Sequence, residues 1–139
     1  MLVFDLDAVY PFVQRRVPGL ARTDGARAIG WSHGGALVAG VVYEGINAHN
    51  CWMHVAAEPG ARWLRREYLR ACFAYPFLVC GLRRVSGYVE ASNEAARRFD
   101  EHPGFVEEAR LRGAASDGGD VIIYVMRRED CRHVPIPQD

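Results

Sequence analysis

The chain has 139 residues, half of them hydrophobic and 24% charged. That suits one domain spanning residues 1–139 and excludes a disordered, collagenous or coiled-coil chain. Its 17 basic and 17 acidic residues balance, so no global field exists to hold nucleic acid or an anionic membrane, and neither is expected as a partner.

The first predicted element is a helix from Asp5 or Asp7 to Val17, bent near Pro11. Val9, Phe12, Val13 and Val17 recur at helical spacing, an acidic cap precedes them, and Pro18-Gly19 follows. Ala26 to Ser32 and Ala36 to Tyr43 read as antiparallel strands joined by a tight turn at His33-Gly34-Gly35. A polar loop from Gly45 to Asn50 leads into an apolar run from Cys51 to Ala57, which predicts a central third strand. Glu58-Pro59-Gly60 breaks it. Arg62 to Tyr75 then reads as a helix with Leu64, Tyr68, Cys72 and Tyr75 on its apolar face, ended or kinked by Pro76.

The second half continues with a strand over Arg84 to Glu90 and a helix capped by Ser92 or Asn93 that runs to about Glu101. Strands over Phe105 to Arg112 and Val121 to Arg127 are joined by a Ser116-Asp117-Gly118-Gly119 turn. The pattern predicts an α/β (α+β) fold with a mixed, mostly antiparallel sheet of about six strands and about three to four helices. It contains one right-handed βαβ passage from Cys51 to Val89.

All 17 basic residues are Arg, which excludes lysine Schiff-base chemistry. The four cysteines, Cys51, Cys72, Cys80 and Cys131, are widely spaced with no secretory segment ahead. Free thiols and an intracellular, cytoplasmic location are the expectation. Cys51 with His54, and Cys131 with His133, do not have the spacing of a zinc site, so no metal is expected. No apolar run reaches the length of about 18 residues that crosses a bilayer.

The junction from Val55 to Arg66 concentrates chemistry. A strand stops, Glu58-Pro59-Gly60 turns the chain, and a helix opens beside Arg62, Arg65 and Arg66. Orphan backbone N–H groups, a positive dipole end and guanidinium groups together suit a phosphate or pyrophosphate. An ordinary solvated Arg face would carry the same pattern. Further on, Asn93 opens a helix and Gly104-Phe105 opens the next strand eleven residues later.

In Asn93, Ala96, Gly104-Phe105 and the order of its elements, the chain resembles the GNAT superfamily of acetyl-CoA-dependent N-acetyltransferases. The segments Ala36 to Tyr43, Trp63-Leu64 with Tyr68-Leu69, Arg83 to Ser86 and Ala91 to Phe99 look like a compact branch carried by phages and prophages. The resemblance spans roughly residues 26 to 128. It implies transfer of an acetyl group from acetyl-CoA to a primary amine by direct attack in a ternary complex. The acceptor would be a small molecule or a peptide amine, and a homodimer is open. An alternative from another class is a phage-associated binding or virion-structural protein that keeps the fold without turnover.

The resemblance also assigns residues. Cofactor contacts fall on Met53, Val55, Gly60, Arg62, Trp63, Leu64, Arg65, Arg66, Asn93 and Arg97, with the thioester carbonyl held by amides of the Met53 to Val55 strand. Counting back four residues from Met53 makes His49 the first candidate base. His54 is the second, and Glu44 and Glu58 are carboxylates that could act through water. Two departures stand out. Trp63 and Arg65 replace the small residues of the pyrophosphate loop, which costs close backbone approach. Asp100 replaces the tyrosine that protonates the departing thiolate, a task an Asp performs near neutral pH only with a raised pKa. Water or Tyr124 would otherwise supply that proton.

Overall fold

A computed structural model describes residues 1–17 and 19–137; Pro18 of the predicted helix stop lies outside them, as do the last two residues of the chain. The elements are β1 (Leu2–Val3), α1 (Leu6–Gln14), β2 (Arg27–His33), β3 (Ala36–Glu44), β4 (Trp52–Ala57), α2 (Arg66–Ala74), β5 (Arg84–Glu90), α3 (Glu94–Glu101), β6 (Val106–Leu111) and β7 (Val121–Arg127). A single π-helical turn, Tyr75–Val79, extends α2, and a short 3-10 turn, Arg128–Asp130, follows β7. The strands form one mixed sheet in the order β1-β2-β3-β4-β5-β7-β6. Every pairing is antiparallel except that of β4 with β5. The two-residue edge strand β1 has no periodicity for a sequence reading to detect.

Alternation along the strands divides the core between two faces. Val42 and Ala56 pack with Val9, Phe12 and Val13 of α1, whereas Val41, Tyr43 and Met53 pack with Tyr68, Cys72 and Phe73 of α2. α1 approaches the sheet closely because Gly30 and Gly40 stand opposite each other beneath it. A Cβ at Gly40 would lie 2.7 Å from Val13 Cγ2 and one at Gly30 2.9 Å from Val9 Cγ2.

Three boundaries differ from the sequence expectation. α1 ends at Gln14, and the chain leaves it through turns that carry Val17.N–H onto the Val13 carbonyl. α2 begins at Arg66, four residues later than expected. Trp63 and Tyr68 are both buried, yet five residues on a helix turn through about 140° net, so a helix could not aim both rings at one core. The chain therefore stays irregular until Arg65, whose φ of −88° and ψ of 146° are extended. At Pro76 the α-helix has already stopped, at Ala74, but a π turn, Tyr75–Val79, carries the helical path past the proline. It has no N–H to give the Cys72 carbonyl, and the Tyr43 hydroxyl donates to that carbonyl instead at 2.5 Å.

Candidate active site

β4 and β5 run parallel and register only where Trp52 stands opposite Ser86. That end is closed by backbone bonds from Ser86 to the Cys51 carbonyl and from Arg83 and Arg84 to the His49 carbonyl. Beyond it the two strands diverge. A slot of about 230 Å³ opens between them, lined by Met53, His54 and Val55 of β4, Tyr88 and Val89 of β5, and Asn93, Ala96 and Asp100 around α3. Because Met53 and Val55 face α2 and α3 while His54 faces α1, the slot passes through the sheet from one face to the other. Arg16 and Val17 border it on the α1 side, and Arg16 is fixed there by an ion pair with Glu58 and by stacking over Phe12.

His54 is only 7% exposed. Its Nε2 lies 3.3 Å from Glu44 Oε2. The antiparallel register creates this pair, since Val42 stands opposite His54 and Glu44 opposite Trp52, leaving Glu44 on the diagonal of His54 on the same face. Glu44 Oε1 accepts from the Tyr10 hydroxyl at 2.9 Å and from Thr23 N and Oγ1 at 3.3 and 3.2 Å. Burial and the Glu44 bond push the Tyr10 hydroxyl up to about 12, so it stays a donor. Burial lowers the His54 pKa below its ordinary 6.5, with Glu44 opposing in part. Set against a carboxylate, which only accepts, a neutral ring would carry its proton on Nε2 and keep the Nδ1 lone pair. The arrangement is that of a histidine set against a buried carboxylate.

Asp100 enters the slot from α3. It lies against Gly87 of β5, where a Cβ would stand at ordinary contact distance, 3.6 Å, from both Asp100 Oδ2 and the Met53 carbonyl. Burial, with a smaller contribution from Glu101, pushes the Asp100 carboxyl up to about 7. The condition on which an Asp could hold a proton near neutral pH is met.

The remaining sequence candidates fall in three places. Asn93 caps α3, its Oδ1 accepting from Ala96 N–H at 3.1 Å at the slot mouth. Gly60, with φ of 76°, turns the chain after β4, and Arg62, Leu64, Arg65 and Arg66 are exposed around the start of α2. No side chain caps that helix, so its first N–H groups lie open beside the guanidinium groups. Trp63 belongs to the core, edge-on to Tyr68 and Phe99 with centroids 6.2 and 5.3 Å away; only its backbone borders the Arg-rich surface.

Three further candidates, like those around the start of α2, stand outside the slot lining. His49 is exposed in the β3–β4 loop, where its N–H donates to Asn47 Oδ1. Tyr124 donates to Glu101 Oε2 at 2.6 Å, and burial with that bond pushes its hydroxyl up to about 12. Arg97 donates to the Ala91 carbonyl, and its Nε is buried 3.7 Å from Glu101. Sequence reasoning did not single out Trp52, Tyr88, Tyr10 or Thr23. A register for the β3–β4 hairpin would have brought Trp52 and Glu44 together, but the seven-residue loop from Gly45 to Cys51 left that register open.

No protein-family model matches the chain and no curated protein matches it in sequence. Solved structures do. The spermidine/spermine N-acetyltransferase SpeG from Vibrio cholerae aligns over 93% of this chain and 92% of its own at 14% identity, with a TM-score of 0.72. The ribosomal-protein-S5-alanine acetyltransferase from Vibrio fischeri aligns over 77% and 64% at 16% identity, TM-score 0.63. The N-acetyltransferase PseH from Campylobacter jejuni aligns over 76% and 70% at 12% identity, TM-score 0.59. With a mostly antiparallel sheet parted between β4 and β5 and a helix opening after β4, the chain has the GNAT fold of these acetyltransferases.

Proposed function

We propose that the protein is an N-acetyltransferase that moves an acetyl group from acetyl-CoA to a primary amine. The observation that carries this reading is the slot between β4 and β5, with His54 and Glu44 on one side, Asp100 on the other and an uncapped, Arg-flanked helix start after β4. The residues fit the co-substrate. Beyond Trp52 the β5-facing backbone of β4 has no partner strand, so its amides are free to hold a thioester carbonyl. Arg62, Arg65, Arg66 and the first N–H groups of α2 suit a pyrophosphate.

In this reading the acceptor nitrogen bonds to the thioester carbonyl carbon and the carbon–sulfur bond breaks. His54 Nδ1 takes the proton that the amine loses, and Glu44 stabilises the resulting imidazolium. Asp100, protonated up to about pH 7, gives its proton to the departing sulfur. The products are the acetylated amine and free CoA, and the two side chains exchange their protons with solvent. His54 thus replaces His49 as the proposed base, and Asp100 replaces Tyr124 as the proposed acid. Calorimetry with acetyl-CoA, followed by transfer assays across a panel of amines, tests the reading. Binding with turnover that falls by about 10²-fold or more in His54→Gln supports it. Absence of acetyl-CoA binding overturns it.

A further inference from the structure

A second cavity, of about 380 Å³, lies on the α1 face against the slot. His54 and Tyr88 line both, so a group reaching His54 from this side also reaches the opening between β4 and β5. Trp52, His54 and Tyr88 form a continuous aromatic wall, with Trp52 edge-on to Tyr88 at 6.0 Å and His54 edge-on to Tyr88 at 5.3 Å. Gly19, Leu20 and Ala21 face that wall from the segment after α1. Glu44 is the only acidic side chain among the lining residues, and none of the 17 Arg is among them.

We propose that this cavity is the acceptor subsite and that it takes small primary amines with an apolar or aromatic stem and no carboxylate. The identification as an acceptor rests on the acetyltransferase reading; the preference in binding does not. Ring faces and a buried carboxylate attract an ammonium group. The Glu44 carboxylate is 8% exposed and held by Tyr10 and Thr23, so it cannot swing away from an arriving charge. An α-amino acid would bring its own carboxylate beside Glu44 with no guanidinium among the lining residues to receive it, Arg22 next to them being paired with Asp7, a poorly compensated like-charge burial. The stem, by contrast, meets only rings and aliphatic groups. Specificity then follows from repulsion of the wrong ligand as much as from attraction of the right one.

The test is a pair of probes that differ only in the carboxylate, 2-phenylethylamine and L-phenylalanine, titrated into the full chain without acetyl-CoA and followed by ligand-observed NMR. The amine should bind at least about tenfold more tightly. Glu44→Gln should bring the two affinities together. Tyr88→Ala alters a half-exposed side chain and should weaken the amine by about three- to tenfold at an unchanged melting temperature. Equal affinities in the wild-type chain, a preference for phenylalanine, no binding of either probe, or a preference that survives Glu44→Gln would each overturn the proposal. Selective amine binding with no acetyl-CoA binding would instead support the subsite and remove only the catalytic reading. Acetyl-CoA binding without amine selectivity would do the reverse.

Discussion

At the scale of the residue, two titratable groups define the candidate chemistry, and their environments separate them. His54 is desolvated and held below its ordinary pKa, so it is a neutral acceptor at physiological pH. Asp100 is desolvated and pushed up to about 7, so a sizeable fraction of it still carries a proton there. A base that works deprotonated and an acid that works protonated give a bell-shaped rate profile. Activity should fall on the acid side of the ordinary histidine range as His54 gains a proton, and above about pH 7 as Asp100 loses one. His54→Gln should remove the acidic limb and Asp100→Asn the basic one, read from initial rates between pH 5 and 9 once an acceptor is in hand. Asp100 also costs stability. The unfolded carboxyl ionises near 3.8 while the folded one keeps its proton to about 7, so the contribution of Asp100 is most favourable below about pH 4 and is lost progressively across that window. Asp100→Asn should therefore be more stable than the wild type at pH 8 by about 2 to 4 kcal/mol, with little difference at pH 3 to 4. Urea unfolding at the two pH values measures it.

At the scale of the element, the site depends on how α1 and the start of α2 are held. The Gly30–Gly40 pair lets α1 lie against the sheet and brings Arg16 and Val17 to the slot. Gly40→Val should cost about 1 to 3 kcal/mol, because Val13 and Val9 have no space to yield; a thermal melt would reveal it. At the start of α2, among the described residues, no side chain caps the helix, and the arginines are exposed. Replacing Arg62 and Arg65 together by Ala should weaken acetyl-CoA binding by about 1 to 3 kcal/mol with an unchanged melting temperature. Asn93→Ala should lower stability by about 1 kcal/mol through the lost cap and separately weaken acetyl-CoA. A change in melting temperature alone would confine Asn93 to the cap it makes with Ala96.

At the scale of the whole molecule, one sheet carries both halves of the chain, because β5, β6 and β7 are joined to β1 through β4 by the β4–β5 pairing. That pairing is the least extensive of the main sheet contacts and also the opening of the slot. A ligand that fills the slot bridges both halves, so saturating acetyl-CoA should raise the melting temperature of a single unfolding transition. At a hundredfold excess over its dissociation constant the gain is about 2.7 kcal/mol.

Much of this architecture was legible in the sequence. Alternation and turn residues located β2, β3, β4, β5, β6 and β7, Asn93 announced the cap of α3, and the βαβ passage fixed the parallel step from β4 to β5. These features are set by neighbours a few residues apart, and local composition records them. The site was legible only as a set of candidates. His54 and Glu44 were both in view, but their pairing waited on the β3–β4 register. Asp100 was noticed as a departure, but its proton depends on burial against β5. Trp63 reads from sequence as part of the helix from Arg62 and as a cofactor contact, whereas packing draws it into the core from the irregular chain before α2. Each of these outcomes rests on contacts between distant segments. Side-chain direction and desolvation are decided there, in the tertiary structure, and not by the local order of residues.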